Sequence, residues 1–190
     1  MTREDVQRLL RKCDMMCSGH AVLRDRFRRR ALWLDLSILA LTTWLAAMAF
    51  VEPTIGARFT PFALERDIWL GLLAVGTFFL SLLHMRLDWK AHANAHAAAV
   101  RLFSSVTQTC RVVLGHQDPL PRLDMEQIRA RYDAACDSSV GISEREFLNL
   151  KRHHLLKVAL SRHLDEHPST WPRLVLLKWW IVDNLLPRKK

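Results

Sequence analysis

Pairs of histidines are the residues of this sequence that most resemble metal ligands. His92 and His96 are four positions apart, so a helix would present both on one face, at a spacing that suits two zinc ligands. The neighbouring residues are alanines, and no nearby acid or cysteine completes a coordination sphere. His153 and His154 are adjacent and point in different directions from a helix. We therefore predict packed or solvated histidines at these positions, with no metal and no cofactor.

The cysteines form a second candidate group. Cys13, Cys17 and His20 share one helical face, but three ligands on a single helix make a poor tetrahedron. The remaining cysteines are Cys110 and Cys136. None of the four lies in the segment that we predict to face the outside, so no disulfide framework is implied and reduced cytoplasmic thiols are expected.

Asp35 is the single acid within a long apolar run, Ala31–Val51. An acid inside a membrane span usually faces a bundle interior or water, which would make Asp35 a pore or gating residue. It also lies only about one turn, or roughly 6 Å, from the start of the run. At that depth it could instead reach the lipid headgroups, or pair with Arg30 or Arg86. The sequence leaves both interpretations open.

Catalytic signatures are not recognisable. The chain has no readable nucleophile–base arrangement, no glycine-rich phosphate loop and no acids paired at catalytic spacing, so we predict that it is not an enzyme. The basic run at 24–30 could bind nucleic acid in isolation, but it lacks aromatic interleaving of the kind that stacks bases. Its place before an apolar run favours a topology signal that contacts anionic lipid, and no direct nucleic-acid partner is expected.

Two apolar runs determine the predicted architecture. The chain has 190 residues and is 50% hydrophobic, yet 25% of it is charged, with a net charge of +9. These classes are segregated: Ala31–Val51 contains one charged residue, and Ile68–Met85 contains no acid, lysine or arginine. Roughly 20 apolar residues are needed to cross a bilayer, so each run predicts a transmembrane helix. Two buried helices of a soluble globule are the less favoured alternative.

Flanking residues predict the orientation of the two spans. Basic residues precede the first span and follow the second, whereas the charges of segment 52–67 are nearly balanced. The positive-inside rule then predicts that both termini lie in the cytoplasm. Tryptophans are typical of the two interfaces. The predicted interfacial residues are Arg28, Arg29, Arg30, Trp33, Arg86 and Trp89 on the inner side and Trp69 on the outer side.

The rest of the chain is rich in helix formers and poor in glycine and proline. We predict an all-α membrane protein, a two-transmembrane helical hairpin with long cytoplasmic helical extensions and a bundle. Its expected segments are an N-terminal amphipathic cytoplasmic helix at 1–30, the hairpin at 31–87, a cytoplasmic stalk and bundle at 88–168, and a C-terminal amphipathic helix with a basic tail at 169–190.

Local signals predict how these helices begin and end. The N-terminal helix could run unbroken into the first span, with Gly19 as a point where it could bend, and the second span should continue into the stalk. After a break at 115–122, Asp124 and Ser143 each resemble an N-cap. The last predicted helix, Trp171–Leu186, could lie on the membrane surface, although we favour its packing against the stalk or a neighbouring subunit.

Small and polar residues form a stripe on each span. Small residues let transmembrane helices approach closely, and hydroxyl groups can bond across them. One stripe could pack the hairpin while the other faces a neighbouring copy or a pore, and packing within the hairpin is expected for at least one. The stripes are Asp35, Thr42, Ala46 and Ala49 in the first span, and Gly71, Ala74, Thr77, Ser81 and His84 in the second.

The order of these segments resembles the SLATT family of bacterial conflict systems, the SMODS and SLOG-associating two-transmembrane effectors. A basic helix, RFRRRALWLDL, leads into a short-looped hairpin, and the second span runs into LHMRLDWKAHANAHAAAVRLFSSV. The block IRARYDAACDSSVGISEREFLNLKRHH follows. The resemblance covers most of residues 20–165 and rests on architecture and loose motifs, with no catalytic signature to compare.

This resemblance implies an effector that oligomerises in the inner membrane and breaches it when a partner senses phage. The expected partners are membrane lipids, further copies of the chain, and a separate sensor or regulator protein from the same operon. The alternative is a non-conducting inner-membrane scaffold that recruits a partner protein through its cytoplasmic helices.

Overall fold

The computed structural model describes residues 2–51, 65–115 and 122–185, and at 122–124 and 183–185 it describes the backbone alone. Within these ranges every regular element is a helix, which confirms the all-α prediction. The helices are α1 (Arg3–Phe50), α2 (Arg66–Leu87), α3 (Trp89–Gly115), α4 (Arg122–Ser138), α5 (Glu144–Glu166) and α6 (Pro172–Leu185).

Two helical stretches are long and apolar enough to cross a membrane. One is α1, with an 18-residue window of mean hydropathy 1.6, and the other is the stretch 66–115, with a window of 1.9. Only 11% and 6% of these two windows is buried. The prediction of two helices with the length and composition of spans is therefore confirmed. The predicted connecting segment, apart from its last residues at 65–67, lies outside the described residues.

The chain divides into two compact units. One contains residues 1–22 and 98–190, and the other contains residues 23–97. The first unit has a core formed by the N-terminal part of α1, the C-terminal part of α3, and α4. The core residues are Val6, Cys13, Ala99, Phe103, Val106, Cys110, Val113, Ile128 and Ala135.

Helix α1 is continuous past Gly19, the point at which the sequence suggested a bend. Gly19 is buried, and a Cβ atom there would meet Leu150 Cδ1 of α5 at 3.4 Å. Leu150 of α5 therefore packs against Gly19 within the first unit, and the glycine does not interrupt the helix.

The cap at Ser143 is confirmed, whereas the cap at Asp124 is wrong. The Ser143 hydroxyl accepts the backbone N–H of Glu146, which satisfies one of the free donors at the start of α5. Helix α4 begins at Arg122, so Asp124 lies within its first turn. The C-terminal helix begins at Pro172, within one residue of the prediction.

Asp88 interrupts the helix that was predicted to run from the second span into the stalk. Its backbone is left-handed, with φ of 37°, and its N–H bonds to the carbonyl of His84 at the end of α2. Its carboxylate accepts the N–H of Ala91 at 3.1 Å and so caps the start of α3. The prediction of one continuous helix is therefore wrong, because Asp88 separates α2 from α3.

Candidate functional site

In the unit 23–97, one face of α1 and one face of α2 are shielded from solvent. Ala31 and Met48 of α1 and Thr77 of α2 are buried, with exposed fractions of 3%, 3% and 6%. The half-buried residues of α1 follow a three-and-four spacing typical of helices that pack lengthwise. They are Leu34, Asp35, Ile38, Leu41 and Leu45.

Asp35 belongs to this shielded face and contacts two basic side chains. One carboxylate oxygen lies 2.8 Å from Lys90 Nζ of α3, and the other lies 3.4 Å from His84 Nε2 of α2. The pairing expected from the sequence was with Arg30 or Arg86, so Lys90 is a residue that sequence reasoning missed. Asp88 between Arg86 and Lys90 has a left-handed backbone, and the periodicity of the sequence does not predict it.

Four of the predicted stripe residues line one groove between α1 and α2. These are Asp35 and Thr42 from α1 and Ser81 and His84 from α2. Ile38, Leu39 and Met85 complete this polar groove, which has a volume of about 370 Å³. The two stripes predicted separately therefore meet along one side of the helix pair, at a surface that combines ionisable and hydroxyl groups with apolar ones.

The hydroxyl groups of the stripes bond within their own helices. Thr42 donates to the carbonyl of Ile38 or Leu39, Thr77 to that of Leu73, and Ser81 to that of Thr77. Bonding to a carbonyl one turn earlier satisfies a hydroxyl without a partner helix. These hydroxyl groups are therefore satisfied within their own helices, and among the described residues they form no hydrogen bond between α1 and α2.

The remaining small residues of the stripes are exposed. Ala46 and Ala49 of α1 and Gly71 and Ala74 of α2 all lie at the surface. A Cβ atom at Gly71 would meet nothing within 4 Å. These positions consequently form shallow depressions that nothing in the described part of the chain fills.

The opposite end of α1 and α2 is held by Arg66. Its guanidinium donates to the backbone carbonyls of Met48 and Val51, two acceptors at the end of α1 that have no partner within that helix. The indole N–H of Trp69 is buried here, without a hydrogen-bond partner among the described residues. Arg66 was not predicted to have a role, and only its position at the start of an apolar run could have suggested one.

The predicted interfacial residues surround the Asp35 end. Trp33 is 68% exposed, and Arg28, Arg29, Arg30 and Arg86 are exposed. Trp89, which opens α3, is half-buried. The guanidinium of Arg30 lies 5.9 Å from the ring centre of Phe27, at cation–π distance.

His92 and His96 have an aromatic neighbour rather than a metal-binding arrangement. The ring of Phe27 stacks on both, with centroid distances of 5.3 Å to His92 and 5.6 Å to His96. No group of three or more His, Cys, Asp or Glu side chains suited to a metal ion occurs in the described part of the chain. Aromatic stacking therefore explains the one-turn spacing of these histidines.

The cysteine group of the first unit forms part of a hydrophobic core. Cys13 and Cys110 are fully buried, and burial raises the pKa of Cys13 to about 12. The ring of His20 stacks on Phe103 at 5.7 Å, within the same packed region. Burial also raises the pKa of the Cys17 thiol, whose Sγ lies 3.8 Å from the carbonyl of Val100. These thiols are therefore held in the neutral, unreactive form.

An apolar groove with a volume of about 770 Å³ lies between α5 and α6 in the first unit. Leu148, Leu155 and Trp180 line it, and basic side chains of α5, Lys151 and Arg152, border it. Trp171, just before α6, and Leu174 and Leu177 of α6 are also exposed, by 72%, 62% and 53%. The contact between α5 and α6 therefore leaves much of the apolar surface of α6 uncovered.

The chain matches no family model, no curated protein and no solved structure.

Proposed function

We propose that this protein is a membrane-inserted helical hairpin that acts as an oligomeric, membrane-perturbing effector. Its first span is residues 31–51, which are in α1 up to Phe50, and its second is residues 68–85 of α2; both chain ends lie in the bacterial cytoplasm. The observation that supports insertion is the exposed apolar surface of these helices. Phe50 is 92% exposed, Val75 68% and Phe78 65%, on helices that carry almost no charge along this length.

The exposed apolar surface of α1 and α2 is more favourable in a lipid bilayer than in water. Burying apolar area is worth about 25 cal/mol per Å², so a soluble chain that left so many large side chains in water would forfeit much of its stability. In hydrocarbon the same side chains are solvated, while the helices satisfy their backbone hydrogen bonds internally. The charged groups of this unit lie at the helix ends, where headgroups and water would meet them.

The exposed small residues support self-association. In a bilayer, helices associate where small side chains let them approach closely, and Ala46, Ala49, Gly71 and Ala74 offer such positions on the outside of the hairpin. One hairpin cannot enclose a water path, so a pore requires several copies. The polar groove beside Asp35 would then face either a neighbouring copy or the water path.

The resemblance to SLATT proteins connects this architecture to antiphage defence. In such a role the hairpins would breach the inner membrane during abortive infection, after a sensor or regulator from the same operon had released them. The cytoplasmic helices would hold the assembly together and receive that signal. Neither step requires catalysis by this chain, in keeping with the proposal that it is not an enzyme.

A second candidate function is a non-conducting membrane scaffold. The apolar groove between α5 and α6, bordered by Lys151 and Arg152, favours it because a partner helix with acidic flanks would fit such a surface. In that case the hairpin would serve only as an anchor.

Inducible expression in a bacterium tests the two functions. Membrane potential, propidium uptake and growth are followed together, with membrane extraction at alkaline pH as the measure of insertion. Depolarisation and dye uptake support the effector. An inserted chain that remains benign even when the neighbouring genes of its operon are expressed and phage is added supports the scaffold. A chain that alkaline extraction releases from the membrane contradicts both.

A further inference from the structure

A cleft between α1 and α3, within the unit 23–97, collects three basic side chains beside Asp35. Arg24 and Arg28 project from successive turns of α1, and Lys90 projects from the first turn of α3. We call this the basic cleft; its volume is about 420 Å³. A phosphate group with its surrounding headgroup atoms fits within such a volume.

Small side chains create the room inside the basic cleft. Ala31 of α1 and Ala93 and Ala97 of α3 line it. Ala31 and Ala93 are buried, with exposed fractions of 3% and 8%, so they form its floor. The amide of Asn94 adds a neutral hydrogen-bond donor at the same surface.

The charges of the basic cleft leave an excess of one positive charge. Arg24 pairs with Asp25 at 2.8 Å, and Lys90 pairs with Asp35 at 2.8 Å. Arg28 is exposed and has no ion-pair partner among the described residues. One unpaired guanidinium suits a ligand with one negative charge, which is the charge of a phosphodiester at neutral pH.

The basic cleft continues into the polar groove, since Asp35 lines both. Leu32 in the cleft and Leu39 in the groove lie two turns apart on the same side of α1. A ligand with a phosphodiester at one end and a hydrocarbon chain at the other would therefore place the phosphodiester against the basic residues and the hydrocarbon chain along the leucines.

We propose that the basic cleft binds the headgroup phosphate of an anionic phospholipid, with an acyl chain along Leu32 and Leu39. This inference rests on the proposed membrane insertion, which places Arg28 and Lys90 at the inner interface. Basic pockets between helices at that depth are suited to anionic headgroups. A soluble phosphate would satisfy the same guanidinium but would leave the leucines in water.

Lipid binding to the purified full chain in detergent tests this proposal. Native mass spectrometry follows titrations with dioleoylphosphatidylglycerol, with dioleoylphosphatidylcholine and with inorganic phosphate. Two matched pairs of variants separate the cleft from general surface charge. Arg28→Gln is compared with Arg29→Gln, its neighbour outside the cleft, and Ala97→Leu, which fills the cleft, is compared with Ala91→Leu on the exposed side of α3.

We expect Arg28→Gln to weaken phosphatidylglycerol binding roughly fivefold, because one basic side chain near a lipid surface contributes about that factor. Ala97→Leu should abolish selective binding with every charge retained, while Arg29→Gln and Ala91→Leu bind as the parent does. Equal losses in Arg28→Gln and Arg29→Gln would overturn the proposal, because general surface charge would then explain the binding. Displacement of the lipid by millimolar inorganic phosphate would overturn the assignment to a lipid.

Membrane extraction distinguishes failure of this inference from failure of the proposed function. If the chain resists alkaline extraction but binds all lipids alike, the proposed insertion stands and the proposed headgroup site is wrong. If alkaline extraction releases the chain, both proposals are wrong.

Discussion

The carboxylate of Asp35 lies 2.8 Å from the ammonium group of Lys90, and this pair joins α1 to α3 near the start of the apolar run of α1. His84 Nε2 approaches the other carboxylate oxygen at 3.4 Å, so the acid contacts two elements besides its own. Both charged side chains remain partly exposed, 40% for Asp35 and 60% for Lys90. An ion pair this exposed to water contributes little to stability, so we expect the pair to matter mainly for how α1 and α3 are aligned.

Exchanging the two charges tests this pair. Asp35→Lys places two cations together and should reduce the amount of inserted protein, because like charges repel and no acid remains beside Lys90. The double variant Asp35→Lys with Lys90→Asp restores an opposite-charge pair and should recover most of the insertion. Alkaline extraction followed by immunoblotting measures both. Equal loss in the single and the double variant would show that the contact has no role in insertion.

Exposed small residues of α2 are expected to matter only in an assembly. Gly71 has open space around its Cβ position, so Gly71→Leu with Ala74→Leu fits an isolated hairpin without a clash. If neighbouring copies pack here, the added side chains should reduce depolarisation and dye uptake to background while expression stays unchanged.

Val75→Leu provides the control for this substitution. Val75 is 68% exposed and already carries a branched side chain, so a small increase in its size should leave dye uptake unchanged. Full toxicity of the Gly71→Leu and Ala74→Leu double variant would contradict packing between copies at this stripe.

The elements that the sequence predicts well are those with a local physical cause. The length and low charge of the two apolar runs predict helices of span length. Ser143 followed by Glu146 predicts an N-cap that needs no tertiary contact. Asp88 was missed because a left-handed backbone is uncommon for a residue other than glycine, and no local pattern of the sequence specifies it. Lys90 was missed as a direct consequence, since the turn at Asp88 brings it to Asp35.

The candidate site was predictable only in part, for a related reason. Periodicity identified Asp35, Thr42, Ser81 and His84 as members of stripes, but it could not show that both stripes meet in one groove. Which side of one helix meets which side of another depends on crossing angle and rotation, and these follow from the shapes of facing side chains.

Loss of the Ser143 cap should destabilise α5 measurably. Ser143→Ala removes the acceptor for the N–H of Glu146, and such a change typically costs about 1 kcal/mol. Thermal unfolding in detergent, followed by circular dichroism, should show a lower midpoint. Ser161→Ala, at an exposed position within the same helix, is the matched control and should be neutral or slightly stabilising. Equal midpoints for the two variants would contradict the cap.

Truncation of Phe103 should weaken the core of the first unit. Its side chain is fully buried and contacts His20 and Tyr132, with ring centroids 5.7 Å and 6.4 Å away. Phe103→Ala removes this volume from a closed core, at a cost of about 3–5 kcal/mol in the free energy of unfolding. Leu102→Ala, at a position 37% exposed, should cost much less. Denaturant titration of both variants measures the difference, and similar costs would place Phe103 outside the core.

Thiol labelling reports the burial of Cys13 as a function of pH. Because burial raises its pKa from an ordinary 9.0 to about 12, Cys13 stays a neutral thiol in the folded protein at pH 8, whereas exposed Cys136 is accessible to reagent. Maleimide should therefore modify Cys136 rapidly and Cys13 only after denaturation, and Cys136→Ser should remove the rapid phase. A pKa raised by folding means that this group's contribution to stability is complete below pH 9 and is lost as the pH rises from 9 towards 12. Labelling of Cys13 at the rate of Cys136 in the native chain at pH 8 would show that the helices around Cys13 do not form the closed core described above.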